Sequence, residues 1–147
     1  MIYQCSNNRR LIVSNKDAVH SALADGVVPC VVLLTAWSLE GASLEFWGGL
    51  IRLFLERGCT YFVCAGEYSE ALHDAIDDFL YQHDDEFGVE KSKDIVTTYH
   101  ADESVEDVVN FFVYSTEIRD KNNGYLVAVL DEDAIFDAEI MRCLMNA

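Results

Sequence analysis

Two short segments of this sequence are apolar at every position, and they constrain the fold more than any other feature. Val31–Leu34 and Tyr125–Leu130 contain no charged residue. A strand with one face in water alternates apolar and polar residues, whereas a strand covered on both faces is continuously apolar. These segments therefore predict central strands of a sheet that has helices on both sides.

Helical periodicity separates the strand-like runs along the whole chain. Trp47 and Ile51 recur at helical spacing, and two further runs, Phe62–Cys64 and Ile95–Thr97, have the composition of strands that we expect to be central. Alternating strands and helices are typical of βαβ units and a mainly parallel sheet. We predict a single domain over residues 1–147, an α/β three-layer αβα sandwich of flavodoxin-like or Rossmann-like architecture with about five strands.

The N-terminal segment allows two interpretations. Leu11–Val13 followed by the apolar face of a short helix would make a first βα unit. Alternatively, Ile2–Gln4 and Leu11–Val13 form a hairpin around Ser6–Asn8, where asparagine residues favour a turn. The sequence leaves both interpretations open.

The net charge of the chain belongs entirely to its second part. Residues 1–66 contain five basic and five acidic residues, so the whole charge of −16 lies in residues 67–147. A field of this sign repels nucleic acid and anionic membranes and attracts cations or a basic protein surface. We therefore predict a basic protein partner and neither nucleic acid nor membrane binding.

The location of the protein follows from three negative observations. No apolar run reaches the roughly 18–20 residues of a membrane span. The first ten residues lack the order of a signal peptide. The five cysteines cannot all pair, and several lie in apolar runs where cysteine acts as a small hydrophobic residue. We predict a protein of the reducing cytoplasm.

Many of the carboxylates fall in one predicted helix and in the segment that follows it. Ser69 can cap this helix, whose apolar face includes Leu72 and Ile76 and leaves the acidic residues outside. Because no apolar period continues from His83 to Lys93, we predict a surface loop there. Self-repulsion destabilises a compact fold, whereas a basic partner would associate quickly with such a surface. The candidates for partner binding are Glu70, Asp74, Asp77, Asp78, Asp84, Asp85 and Glu86.

A second set of candidates follows the predicted strands, because ligands of open α/β sheets bind at the carboxyl ends of the strands. Carboxylates that converge there could hold Mg²⁺, but helix N-termini also favour acidic residues without any metal. An indole there could stack on a nucleotide or sugar, although the chain has no glycine-rich phosphate cradle. The ligand-binding candidates are Trp37, Glu67, Asp131 and Asp133. No cofactor is predicted, although the pattern admits Mg²⁺.

The carboxyl ends of the predicted strands, which we call the rim, also hold a thiol and an imidazole. Cys64 ends a strand and could act as a nucleophile with His100 as its base and Asp102 close by. The alternative is a buried strand-end cysteine and an unrelated surface histidine. The surrounding negative charge argues against a reactive thiol, since it raises a thiol pKa.

Two segments of the chain resemble a known family. Tyr61–Gly66 and Val96–Ser104 are similar to a family of small uncharacterised bacterial proteins, a domain of unknown function, and the resemblance extends over residues 30–130. It implies a bacterial or phage cytoplasmic protein and brings no activity, substrate or catalytic residue with it. Among the residues it includes, Cys64, His100 and Asp102 are the first to test.

The charge and the missing catalytic motifs together favour an acidic protein-interaction module without catalysis. We expect an immunity, inhibitor or adaptor protein in a bacterial toxin, defence or phage counter-defence setting, since immunity proteins against basic nucleases and nucleic-acid mimics use the same charge. The alternative is a small-molecule-binding protein or a metal-dependent enzyme that uses the carboxylate-rich rim. The identity of the partner and the oligomeric state do not follow from the sequence.

Overall fold

The computed structural model of the protein describes residues 2–23, 26–35, 44–116, 124–130 and 135–147. The strands are β1 (Ile2–Gln4), β2 (Arg10–Asn15), β3 (Pro29–Thr35), β4 (Tyr61–Ala65), β5 (Val96–His100) and β6 (Tyr125–Leu130). The helices are α1 (Val19–Ala22), α2 (Leu44–Glu56), α3 (Ser69–Phe87), α4 (Val105–Asn110) and α5 (Ile135–Met145). A 3-10 turn, Lys91–Asp94, precedes β5, and a π-helical turn, Phe111–Ser115, continues α4.

The strands form one sheet of order β1-β2-β6-β3-β4-β5, in which all neighbours are parallel except β1 and β2. One face packs against α1, α2 and α3, and the other packs against α4 and α5. This confirms the predicted three-layer α/β sandwich with a mainly parallel sheet.

The two continuously apolar segments are central strands, as predicted. Every residue of β3 is buried, and so is every residue of β6 after Tyr125. Val32 and Leu34 pack on the face of α1–α3, while Val31 and Leu33 pack on the opposite face. Because both faces of β3 are covered, no side chain of this strand faces water.

The expectation that Ile95–Thr97 is a central strand is wrong. β5 begins at Val96 and pairs only with β4 within the described residues, so it is an edge strand. The chain returns from β5 across β4 and β3 to place β6 in the middle of the sheet. Val96 and Tyr99 consequently remain 46% and 45% exposed.

Both interpretations of the N-terminal segment hold in part. β1 pairs antiparallel with β2, and Asn8 in the connecting turn has a φ of 68°, in the left-handed region that asparagine tolerates. β2 also pairs in parallel with β6 along its whole length. The hairpin therefore adds a sixth strand, β1, to the edge of a five-stranded parallel sheet.

The predicted loop from His83 to Lys93 is wrong in its first half, because α3 continues to Phe87. The ring of His83 lies 4.6 Å from the ring of Phe87, one helical turn further on, so this polar turn has its own stabilising contact. Gly88, with a φ of 62°, then ends the helix in the left-handed conformation that suits glycine. At the other end Ser69 does not cap α3: it is the first helical residue, and its buried hydroxyl makes no hydrogen bond within the described residues.

None of the helices in the described ranges combines the length and apolar character needed to cross a membrane.

Candidate functional site

The exposed face of α3 is strongly acidic. All seven partner-binding candidates lie in this helix, which contains no lysine or arginine. Five of them follow the spacing i, i+4, i+7, i+8 and i+15, which places them on one helical face. We call this surface the acidic stripe; its carboxylates are Glu70, Asp74, Asp77, Asp78 and Asp85.

An aromatic side chain lies in the middle of the stripe. Tyr81 is 64% exposed and falls between Asp78 and Asp85 on the same face. Tyrosine is common at the centre of protein interfaces because its ring gives a large contact area and its hydroxyl gives a hydrogen bond. The stripe thus combines charge with an apolar anchor.

The other two candidates have structural partners. The carboxylate of Asp84 accepts a hydrogen bond of 3.0 Å from the backbone N–H of Ser92 and so connects α3 to the 3-10 turn. The carboxylate of Glu86 lies 3.1 Å from the guanidinium of Arg52 on α2. Asp84 and Glu86 therefore belong to the fold rather than to the stripe.

Most of the stripe does not stabilise the helix that carries it, and only Glu70 lies in the first turn, where the helix dipole favours a negative charge. Glu70 and Asp74, and likewise Asp74 and Asp78, are like charges one turn apart, and such a pair costs roughly 0.2–0.5 kcal/mol. Asp85 adds negative charge to the C-terminal turn, where the helix dipole is already negative and where α3 has no basic residue. The imidazole of His73 lies beside this face, with its Nδ1 2.9 Å from a carboxylate oxygen of Asp74.

The open edge of β5 lies beside α3. The ring of Tyr99 contacts the ring of His73 at 5.1 Å between centroids. The N–H of Val96 donates to Thr60, which precedes β4, so the backbone groups of Thr97 and Tyr99 face away from β4. An edge strand with outward N–H and C=O groups can pair with an added strand from another protein.

The structure does not bring Cys64 and His100 together. In the parallel pairing of β4 with β5, Cys64 is opposite Tyr99 and Ala65 is opposite His100. Side chains of successive residues point to opposite faces of a sheet, so Cys64 lies on the face of α1–α3 and His100 lies on the other. The thiol and the imidazole are therefore separated by the sheet.

Cys64 is instead buried in the core, and His100 has its own hydrogen-bonding partners. Cys64 is fully buried, and burial raises the pKa of its thiol, with a further upward contribution from the charge of Asp77. His100 is 8% exposed; its Nε2 lies 3.0 Å from the hydroxyl of Thr98, and its Nδ1 pairs with the carboxylate of Glu103. Asp102 is exposed in the turn that follows β5.

Cys64 is expected to resist alkylation in the folded protein. At pH 8 a thiol with a raised pKa holds its proton, and the buried sulfur has no access to the reagent. Iodoacetamide at pH 8 should modify the half-buried Cys143 in native protein and should reach Cys64 only when denaturant is added. Peptide mass spectrometry measures both sites, and equal native rates at Cys64 and Cys143 would contradict the assignment.

The ligand-binding candidates of the rim are only partly placed. Glu67 is exposed in the turn between β4 and α3. Trp37, Asp131 and Asp133 lie outside the described residues. Within the ranges that the structure describes, no group of three or more His, Cys, Asp and Glu side chains has the arrangement of a metal site. The Mg²⁺ hypothesis therefore stays a prediction.

A cleft that the sequence did not indicate lies between α1 and α5, at the carboxyl ends of β2 and β6. It has a volume of about 650 Å³ and contains the side chain of Asp137, which is only 4% exposed. Asp137 precedes Ile140 by three residues and Leu144 by seven, so it lies on the buried stripe of α5. A carboxylate on an apolar helical stripe is the sequence signal that could have revealed it.

The comparison with protein families extends the resemblance seen in the sequence. The model described as "Domain of unknown function (DUF7684)" matches residues 12–147, and the matched range includes β3–β6 and all five helices. This confirms the predicted membership of an uncharacterised family over more of the chain than residues 30–130, while the bacterial origin stays a prediction. No curated protein matches the chain significantly. The chain belongs to the family of the domain of unknown function DUF7684.

Proposed function

We propose that this protein is an acidic interaction module that binds a basic protein through the acidic stripe of α3, without catalysing a reaction. The observation that carries the proposal is the placement of five carboxylates around an exposed tyrosine on one face of a helix that has no lysine or arginine. The repulsion within this face is a cost that the isolated fold does not recover. A basic partner would turn that repulsion into attraction.

The chemistry of the surface suggests how such a partner would be held. Lysine and arginine side chains would pair with the carboxylates, and an arginine could also stack on the ring of Tyr81. The edge of β5 supplies backbone hydrogen-bonding groups, and the exposed side chain of Tyr99 lies on the side of the sheet that carries α3. Charge would speed association, and the aromatic side chains would slow dissociation.

The role that fits this chemistry best is that of an immunity, inhibitor or adaptor protein in a bacterial toxin, defence or phage counter-defence system. A negative surface can occupy the basic substrate-binding face of a nuclease and block it. The five free cysteines, four of them buried, are consistent with function in a reducing cytoplasm.

Affinity capture from an extract of the native host tests the proposal. We expect the wild-type protein at low salt to retain a basic protein that is released at high salt, because exposed charges are screened within about 10 Å at 0.1 M ionic strength. The matched bait is the stripe variant, in which Glu70→Gln, Asp74→Asn, Asp77→Asn, Asp78→Asn and Asp85→Asn remove five charges. Capture of the same protein by both baits would contradict the proposal, as would turnover of a small molecule without any partner.

A further inference from the structure

The cleft between α1 and α5 lies where the sheet changes the direction of its connections. β2 and β6 are parallel neighbours, paired from Arg10 with Tyr125 to Asn15 with Leu130. The chain leaves β2 for α1 on one face of the sheet and leaves β6 for α5 on the other face. Ligands of open α/β sheets bind at such switch points, since the two diverging helices leave a crevice between them.

The size and the walls of the cleft suit a small molecule. Its volume of about 650 Å³ falls within the roughly 300–1,000 Å³ of small-molecule sites. Val13, Leu130 and Met141 give it apolar walls, while Ser14 and Ser21 supply hydroxyl groups. The side-chain oxygen of Asn15 is held in place by backbone N–H donors, including that of Ala18 at 2.8 Å.

The charge of the cleft indicates the sign of its ligand. Among the lining residues that the structure describes, Asp137 is the one with an acidic or basic side chain. A carboxylate that is only 4% exposed interacts strongly with a neighbouring charge, because little water screens it. The net charge of −16 on the chain adds to the same potential and disfavours phosphate or carboxylate ligands.

We propose that this cleft is a binding site for a small organic cation, whose amine or guanidinium group pairs with the carboxylate of Asp137 and whose carbon chain packs between Val13, Leu130 and Met141. The site is independent of the acidic stripe, which lies on α3. Its ligand is a small molecule, whereas the stripe is proposed to bind a protein.

Three probes with the same four-carbon chain test the sign of the ligand by calorimetric titration. These are 1,4-diaminobutane, 1,4-butanediol and succinate, which end in ammonium, hydroxyl and carboxylate groups. We expect one saturable site for the diamine, binding at least about tenfold more tightly than the diol, and no binding of succinate, because a hydrogen bond to a charged group contributes roughly 1.5–3 kcal/mol. Equal binding of all three probes, or no saturable binding of the diamine, would overturn the proposal.

Two pairs of variants locate the binding in the cleft. Asp137→Asn should weaken diamine binding at least about tenfold, while Glu139→Gln removes an exposed carboxylate of the same helix outside the cleft and should leave it within about twofold. Ser21→Phe places a ring at the cleft wall and should block binding, whereas His20→Phe adds the same ring to an exposed neighbouring position. If Asp137→Asn does not fold, the comparison of Ser21→Phe with His20→Phe tests whether binding occurs in the cleft. Binding that survives Ser21→Phe in folded protein would overturn the proposal.

Discussion

Replacing Phe62 with alanine is expected to lower the free energy of unfolding by roughly 3–5 kcal/mol. Phe62 lies in β4, is fully buried, and meets Phe54 of α2 edge to face with 6.4 Å between the ring centroids. The change removes apolar contact and leaves a cavity between sheet and helix that the surrounding residues cannot fill. Domains of this size have about 5–15 kcal/mol of total stability, so the variant should be marginally folded at best. Urea unfolding followed by circular dichroism measures the loss.

Tyr81→Ala is the matched control for this measurement. It also truncates an aromatic side chain, but at a position that is 64% exposed, and should change stability by no more than about 0.5 kcal/mol. A loss below about 1.5 kcal/mol for Phe62→Ala would mean that β4 is not covered on this face, and the order of the sheet would then be incorrect.

The central strands could be predicted because burial on both faces is visible in the local sequence. Val31–Leu34 and Leu126–Leu130 are covered on both faces, and continuous burial requires a continuously apolar sequence. The position of β5 could not be predicted in the same way. Its sequence is compatible with a centre or an edge, and the outcome depends on where the later strand β6 inserts.

The face of the sheet to which each rim side chain points depends on the register of its strand, and the sequence does not define that register. Shifting the pairing of a strand by one residue moves every side chain to the opposite face. Cys64 lies one residue before the end of β4 and His100 is the last residue of β5, so both are near the carboxyl ends of neighbouring strands, but the observed register places them on opposite sides of the sheet. Two residues can thus lie at the carboxyl ends of neighbouring strands without sharing an active site.

The acidic stripe could be predicted in its residues but not in its extent. All seven carboxylates were identified, yet a loop after Leu80 would have scattered the last three of them. The continuation of α3 to Phe87 adds Asp85 to the stripe and turns Glu86 to another face of the helix. Asp84 is set apart by its hydrogen bond to the backbone of Ser92. The cleft at Asp137 was missed because its lining comes from both ends of the chain.

Neutralising the acidic stripe is expected to weaken binding of the captured basic partner at least about hundredfold. The stripe variant removes five negative charges from one face, and an average loss of about 0.5 kcal/mol for each lost pair, a value typical of exposed ion pairs, already amounts to nearly a hundredfold. The free variant should be about as stable as wild type, since the repulsion removed between Glu70, Asp74 and Asp78 offsets the loss of the favourable charge of Glu70 in the first turn. Equilibrium titration with the purified partner measures the affinity, and urea unfolding measures the stability.

The most direct test of the interaction surface is that titration performed on three proteins at about 50 mM and about 300 mM salt. The third protein is a control in which Asp17→Asn, Glu56→Gln, Glu106→Gln, Asp107→Asn and Glu139→Gln remove five exposed charges outside α3. We predict that the control binds within about threefold of wild type and keeps its salt dependence, while the stripe variant loses both affinity and most of the salt dependence. Equal loss in the two variants would show that net charge alone attracts the partner, and loss confined to the control would place the interface outside α3.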